Sequence, residues 1–177
     1  MSSEEHWDLV DADGVPTGMT FRRGAPEWPP GQFHMIVAVC VRRGDGAVLL
    51  TQRAPGKEFP LGWEFPGGSA LAGESSRAAA ARELQEETGL AVPPDALTLV
   101  GRFAEASALL DLYVAEAPAQ TDLRLQAAEV TAAEWVTVGE VERRVRAGVM
   151  ATPWVARLDE LWPSTLEAMS QPRSHAE

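Results

Sequence analysis

Apolar and polar positions divide the chain into short strands that alternate with helices. Runs of β-branched and aliphatic residues, bounded by glycine, proline or acidic residues, are typical of strands in a covered sheet. Stretches in which apolar residues recur every three or four positions are typical of helices with one buried face. The predicted strands are 33–42, 47–53, 96–103, 109–115 and a short one around 135–138, and the predicted helices are 75–88, 139–147 and 153–169.

A hairpin is predicted ahead of these elements. The pair Asp13-Gly14 stands between two short apolar segments, which favours a turn within a hairpin over about 7–21. At 177 residues the chain is expected to form one domain, 1–177, with enough length for a substantial core. The alternation of strands and helices predicts an α/β fold, with a mixed sheet covered by helices on both faces.

The segment 68–90 has the strongest local pattern. It opens as a glycine-bounded loop and continues as a run of good helix formers, with Gly89 placed to end the helix. Glu83, Glu86 and Glu87 are three and four residues apart, so their side chains lie on one helix face. Carboxylates this close repel one another, and a divalent cation held by their oxygens is the simplest source of opposite charge.

This segment resembles the Nudix box, whose pattern is G-x5-E-x7-R-E-U-x-E-E-x-G-U with U an aliphatic residue. The approach to the box, 62–68, is also similar to the family. The chain fits the box at every fixed position, which are Gly68, Glu74, Arg82, Glu83, Leu84, Glu86, Glu87, Gly89 and Leu90.

The resemblance implies the Nudix fold, an α/β/α sandwich with a mixed sheet. It also implies hydrolysis, with Mg²⁺ or Mn²⁺, of a diphosphate bond in a nucleoside diphosphate linked to another moiety. Divalent ions suit this chemistry because they offset the charge of the diphosphate and lower the pKa of bound water. Arg82 is expected to hold Glu83 and Glu74 through charged hydrogen bonds. The implied metal ligands are Glu83, Glu86, Glu87 and the carbonyl of Gly68.

The general base is a box glutamate or an acidic residue on a later loop in this family. Glu129, which precedes Trp135, is the first later-loop candidate, and Glu105 is the second. Either carboxylate suits a solvated loop equally well. Lys57 is a candidate contact for a substrate phosphate. Aromatic rings offer platforms for a base, and the candidates are Trp28, Phe59, Trp63 and Phe103.

A narrower resemblance is to the isopentenyl-diphosphate isomerase-like branch of the superfamily. It rests on Asp13-Gly14, Phe33-His34, Gln52-Arg53 and Lys57. True isomerases place a catalytic cysteine just before the box, whereas the stretch 63–66 contains neither cysteine nor histidine. Isomerase-like activity therefore lacks its acid and is kept as an alternative. The other alternative is a non-catalytic nucleotide-binding module, against which the intact box glutamates argue.

Charge and cysteine content limit the partners. The chain has 15 Lys and Arg against 26 Asp and Glu, a net charge of −11, which argues against binding to a nucleic-acid backbone. The expected partner is a small nucleoside diphosphate derivative, and a homodimer is an open alternative. Cys40, the single cysteine, lies in an apolar run and is expected to be buried. No apolar stretch is long enough to span a membrane and residues 1–6 lack signal-peptide features, so a cytoplasmic location is expected.

Overall fold

The computed structural model describes residues 5–171 as strands packed between helices. The strands form a two-stranded hairpin and a larger mixed sheet. They are β1 (His6–Val10), β2 (Pro16–Arg22), β3 (His34–Arg42), β4 (Val48–Arg53), β5 (Trp63–Glu64), β6 (Gly67–Ser69), β7 (Thr98–Ala104), β8 (Ala108–Glu116) and β9 (Val130–Val136). The helices are α1 (Ser76–Thr88), α2 (Val138–Arg146) and α3 (Pro153–Ser170), with a 3₁₀ turn at Pro94–Ala96.

The central strand of the larger sheet is β3. It pairs in parallel with β8 along its whole length and antiparallel with β4 and β6. The strand order is β5-β4-β3-β8-β7, with β6 on β3 and β9 on β4. The predicted mixed sheet is therefore confirmed.

Alternate residues of β3 enter two separate cores. Ala38 and Cys40 pack on one face with residues of α2 and α3. Val37 and Val39 pack on the opposite face with residues of α1. Because successive side chains of a strand point to opposite faces, one apolar strand supplies both cores. The predicted α/β/α arrangement follows from this alternation.

Helix α1 begins and ends where its sequence predicts. The side chain of Ser75 accepts a hydrogen bond from the N–H of Ala78 at 3.2 Å, and the chain leaves the helix at Gly89 with φ of 80°. Ala80 and Leu84 are fully buried against the sheet. The small alanine side chain lets the helix approach the strands closely, which brings the acidic residues of α1 alongside β6.

The N-terminal hairpin lies where the sequence predicts it. Strands β1 and β2 pair antiparallel, and β1 also contacts the start of β3 through a bridge between Val10 and Phe33. The ring of Trp7 stacks on that of His34, with centroids 4.3 Å apart and planes 12° apart. The hairpin is therefore joined to the main sheet by aromatic packing as well as by backbone contacts.

Two boundaries in the C-terminal half differ from the sequence prediction. The strand expected around 135–138 is longer and begins earlier, because β9 pairs with β4 along the whole of Val48–Arg53. Its exposed Thr131 and half-buried neighbours hide the strand from a search for apolar runs. Helix α2 begins at Val138 because the side chain of Thr137 accepts the N–H of Glu140 at 3.2 Å.

No helix within residues 5–171 is long and apolar enough to cross a membrane. Residues 1–4, which belong to the segment without signal-peptide features, lie outside the described residues. The tail 172–177, which contains His175, lies outside them as well.

His34 makes the stability of the fold depend on pH. Its Nδ1–H donates to the carbonyl of Ser107 at 3.0 Å. Burial lowers the pKa of His34 from its ordinary value of 6.5, against the opposing effects of the Ser107 contact and the charge of Glu105. The unfolded chain therefore takes up a proton more readily than the folded protein as the pH falls below 6.5.

We expect the stabilising contribution of His34 to be present above pH 6.5 and to decline below it. The measurement is the free energy of unfolding in urea at about pH 7.5 and about pH 5.5, for the wild type and for His34→Gln. The difference between the two proteins should shrink at the lower pH. His6→Gln, which removes an exposed imidazole from β1, is the control. A difference that does not change with pH would contradict the prediction.

Candidate active site

The three clustered glutamates of α1 occupy different environments. The side chain of Glu86 is 49% exposed, that of Glu83 is 16% exposed, and Glu87 is buried with 2% of its surface accessible. The helix face that carries these three glutamates thus extends from the solvent to the edge of the sheet. An acidic helix face is in this way carried into the interior beside β6.

Arg82 connects most of the acidic residues of the segment. Its Nε and Nη2 donate to the two carboxylate oxygens of Glu74, both at 2.9 Å. Its Nη1 donates to Glu83 at 2.8 Å and to Glu86 at 3.0 Å, and its Nη2 also donates to the carbonyl of Ser69 at 3.0 Å. One guanidinium therefore serves three carboxylates. The contacts expected between Arg82 and the residues Glu83 and Glu74 are present.

Strand β6 meets α1 at two successive glycines. The N–H of Gly67 donates to Glu87 at 3.0 Å. A Cβ on Gly68 would lie 2.7 Å from both carboxylate oxygens of Glu83, closer than real Cβ atoms approach other groups. Gly68 is thus required for the close approach of the strand to Glu83. The structure brings Gly68, Glu83 and Glu87 together, as the sequence predicts.

Burial raises the pKa values of the inner carboxylates. The pKa of Glu87 rises to about 8 because the side chain is buried and because Glu64 and Glu83 lie near it, although the N–H of Gly67 opposes the shift. Burial also raises the pKa of Glu83, against the hydrogen bond from Arg82. A cation that binds beside these two groups would favour their charged, carboxylate forms.

No role for Glu64 or Arg53 follows from the sequence alone. Glu64 is 9% exposed, and Arg53 Nη1 donates to both of its carboxylate oxygens at 2.8 and 3.0 Å. Burial raises the pKa of Glu64, and the charge of Arg53 opposes that rise. The signal in the sequence is a charged residue inside the apolar stretch 63–66, immediately before the glycines of the box.

Glu129 is brought to the site through Lys57. The two side chains form an ion pair between the loop that follows β4 and the residue that precedes β9. The positive charge of Lys57 also opposes the burial effects that raise the pKa values of Glu64, Glu83 and Glu87. Lys57 is therefore close enough to these acids to act on their pKa values. Its ammonium group, the candidate contact for a substrate phosphate, is paired with the carboxylate of Glu129 in this structure.

Glu105 lies elsewhere in the structure. It follows β7, and its carboxylate pairs with Arg157 of α3 at 2.7 Å. This ion pair holds the second candidate for the general base against α3. Glu129 is the better placed of the two carboxylates.

Phe59 is the most exposed of the four aromatic candidates. Phe59 is 38% exposed and lies on the same loop as Lys57, with φ of 51°. Trp63 lies under the guanidinium of Arg144, 4.3 Å from its ring centroid, and Phe103 packs against the core beside α3. Trp28 packs on Phe21, with centroids 4.5 Å apart.

The carboxylates are not gathered around one point in this arrangement. Within residues 5–171, no three His, Cys, Asp or Glu side chains stand ready to hold a metal ion. The carboxylate of Glu86 accepts a hydrogen bond from Arg82 at 3.0 Å and is 49% exposed, whereas Glu87 is buried.

Comparison with known proteins identifies a matching family. The family model described as NUDIX domain matches residues 32–157, more than half of the chain. A protein of Listeria monocytogenes named as an uncharacterized Nudix hydrolase is 35% identical over 141 residues, which is 78% of this chain and 83% of that protein.

Two further proteins are similar to this chain. An isopentenyl-diphosphate Delta-isomerase of Nocardia farcinica is 36% identical over 165 residues, which is 87% of this chain and 92% of that protein. The crystal structure of DR0079 from Deinococcus radiodurans has a TM-score of 0.68, covering 83% of this chain and 92% of that one. At 24% identity this likeness concerns the fold.

We expect Gly68→Ala to displace the Glu83 carboxylate, because the added Cβ would lie 2.7 Å from its oxygens. Isothermal titration with Mn²⁺ should show an affinity lower by about 10- to 100-fold, the effect of disturbing groups that orient metal ligands. Gly44→Ala is the matched control, since nothing lies within 4 Å of a Cβ there. Equal Mn²⁺ affinity in Gly68→Ala and the wild type would show that Glu83 does not depend on this contact.

Proposed function

The chain belongs to the Nudix family and is a pyrophosphohydrolase, and from that premise we propose that it uses Mg²⁺ or Mn²⁺ to hydrolyse a diphosphate bond in a nucleoside diphosphate linked to another moiety. Hydrolases of this family generally depend on a divalent metal and act on small molecules. The metal and the substrate class proposed for this chain rest on the acidic face of α1.

The residues beside β6 fit a hard divalent cation. The donors are carboxylate oxygens and a backbone carbonyl, which are the ligands that Mg²⁺ and Mn²⁺ prefer. Glu87 is 2% exposed and its pKa is raised to about 8, so its carboxylate is stabilised by any cation that binds beside it. We assign the metal to Glu83, Glu86, Glu87 and the carbonyl of Gly68.

The main support for the proposal is that three carboxylates accept hydrogen bonds from Arg82. One guanidinium contacts Glu74, Glu83 and Glu86 while Glu87 stays buried next to them. Arg82 fixes the orientation of Glu83 without neutralising the whole cluster. The excess negative charge is what a metal-bound diphosphate site requires.

In the proposed reaction a water oxygen attacks one phosphorus of the diphosphate and the bridging oxygen leaves with its bonding electron pair. A bound divalent ion offsets the charge of the diphosphate and lowers the pKa of the attacking water. Lys57 exchanges its contact with Glu129 for a contact with a phosphate oxygen. Glu129, released from that ion pair, accepts the proton of the water.

Isomerase-like activity is the second candidate function, favoured by the similarity to the Nocardia protein. The protein has no thiol where such an activity would need one. The stretch 63–66 has no cysteine, and Cys40 is fully buried, 3.7 Å from the sulfur of Met169. Burial raises the pKa of the Cys40 thiol, which keeps it protonated and unreactive. A cytoplasmic location stays a prediction, and a homodimer stays an open alternative.

We expect Glu83→Gln to remove hydrolysis while the fold persists. The wild type and the variant would be incubated with Mg²⁺ and a panel of nucleoside triphosphates, nucleotide sugars, ADP-ribose, NADH and isopentenyl diphosphate. Product analysis should show at least one compound cleaved by the wild type, with a loss of more than about 100-fold in the variant.

Glu160→Gln, which changes an exposed carboxylate of α3, is the control and should retain activity. Equal turnover by Glu83→Gln would contradict the metal assignment. Rearrangement of isopentenyl diphosphate without release of phosphate, observed by NMR, would favour the isomerase-like alternative. Binding of a panel compound without any turnover would favour the non-catalytic module.

We expect Glu129→Gln to lower kcat by about 100-fold, the usual contribution of a general base, with little change in Mn²⁺ affinity. Lys57→Gln is the matched variant, because it breaks the same ion pair and keeps the carboxylate. Because Lys57 is also the proposed phosphate contact, Lys57→Gln should mainly raise KM, whereas Glu129→Gln should mainly lower kcat. A Glu129→Gln variant that raises KM and leaves kcat unchanged would mean that Glu129 serves only to hold Lys57.

A further inference from the structure

We propose that Asp8, in the N-terminal hairpin, is a positioning residue of the active site that fixes the loop carrying Glu74. This inference rests on the proposed function and extends the machinery beyond the box. Strand β1 lies outside the residues matched by the family model, which begins at residue 32. The contact is therefore made from outside the region that the family model matches.

The loop between β6 and α1 makes a tight turn at 71–74. The N–H of Glu74 donates to the carbonyl of Leu71 at 3.0 Å, and Gly73 has φ of 80°. A positive φ at the third residue is what a type II turn requires. Such a turn leaves the N–H groups of its two central residues pointing outward, without partners inside the turn.

Strand β1 accepts hydrogen bonds from both of these N–H groups. The N–H of Ala72 donates to the carbonyl of His6 at 2.8 Å, and the N–H of Gly73 donates to Oδ2 of Asp8 at 2.7 Å. The second of these is a hydrogen bond to a charged acceptor, which is the stronger kind. The turn is thus held at two adjacent points by the hairpin.

Fixing the turn also fixes the next residue, Glu74. Its Oε2 accepts the N–H of Leu71 at 3.0 Å, and both of its oxygens accept hydrogen bonds from Arg82. Arg82 in turn orients Glu83 at 2.8 Å. A continuous series of hydrogen bonds therefore runs from Asp8 through the turn and Glu74 to a proposed metal ligand. Small displacements of such ligands reduce activity strongly.

The hairpin is itself held in place by Arg102, which contacts the turn between β1 and β2. Arg102 of β7 donates to the carbonyl of Asp13 at 3.0 Å and forms an ion pair at 2.7 Å with Asp111, which is 2% exposed. A cavity of about 190 Å³ lies between hairpin and loop, lined by Asp8, Glu74 and Arg102 among others. Because the hairpin is tied to the rigid sheet, Asp8 presents a fixed acceptor to the turn.

The test compares Asp8→Ala and Asp8→Asn with the wild type. The alanine variant loses the acceptor, whereas asparagine keeps an oxygen acceptor and loses the charge. We expect Asp8→Ala to lower Mn²⁺ affinity and kcat by about tenfold with little change in KM, and Asp8→Asn to restore most of both. Faster hydrogen exchange at the amides of 71–74 should accompany the loss in the alanine variant.

Asp11→Ala is the matched control within the hairpin. The carboxylate of Asp11 accepts the N–H groups of Asp13 and Val15 at 3.0 and 2.9 Å and does not contact the 71–74 turn. This variant should lower the melting temperature without changing Mn²⁺ affinity or kcat. If Asp8→Ala behaves in the same way, Asp8 is merely structural and the proposal is wrong.

Two further outcomes also decide the matter. An Asp8→Asn variant as impaired as Asp8→Ala would show that the charge matters and the hydrogen bond does not, which overturns the proposal. If Asp8→Ala does not fold, Asp8→Ser, whose hydroxyl is too short to reach Gly73, takes its place with the same expected losses. Mn²⁺ affinity and hydrogen exchange need no substrate, so they test Asp8 even if the wild type hydrolyses nothing in the panel.

Discussion

The guanidinium of Arg82 is the group on which the arrangement of the site depends. It donates to Glu74, Glu83 and Glu86 and to the carbonyl of Ser69. An arginine suits this position because its planar fork reaches several acceptors at once and stays charged under all conditions. Without it, the carboxylates would repel one another. The loop before α1 would also lose the hydrogen bonds that Arg82 donates to Ser69 and Glu74.

Burial of charge is sustained by the packing of the same face of α1, because Glu87 lies three residues after Leu84 and seven after Ala80. Ala80 and Leu84 are fully buried in the core beneath the sheet, and this packing holds Glu87 close to β6 in a place where its carboxylate is only 2% exposed. A carboxylate in that environment is costly unless it has hydrogen bonds or a nearby cation. The apolar packing of this helix face therefore buries Glu87 and creates a demand for positive charge beside its carboxylate.

Parts of the chain that are distant in sequence complete this charge balance. Lys57 follows the end of β4, and Glu129 precedes the start of β9. Because β4 and β9 pair antiparallel, these two residues lie at the same end of the strand pair, where they form an ion pair. Arg53, the last residue of β4, forms an ion pair with the buried Glu64 of β5. The site thus combines side chains of α1 with residues of β5 and β6 and with residues at the paired ends of β4 and β9. The hairpin contributes Asp8, which contacts the loop before α1.

The sequence by itself determined the features that depend on local spacing. The cap at Ser75, the end of α1 at Gly89, the shared face of Glu83, Glu86 and Glu87 and the alternation along β3 all follow from residues within a few positions of one another. Only the tertiary structure decided contacts across long separations. It assigned Glu105 to Arg157 and Glu129 to Lys57, extended β9 along β4, and brought Asp8 to Gly73. A side chain's partner across the fold depends on strand register and helix packing, and those arise from many weak contacts that no short window of residues contains.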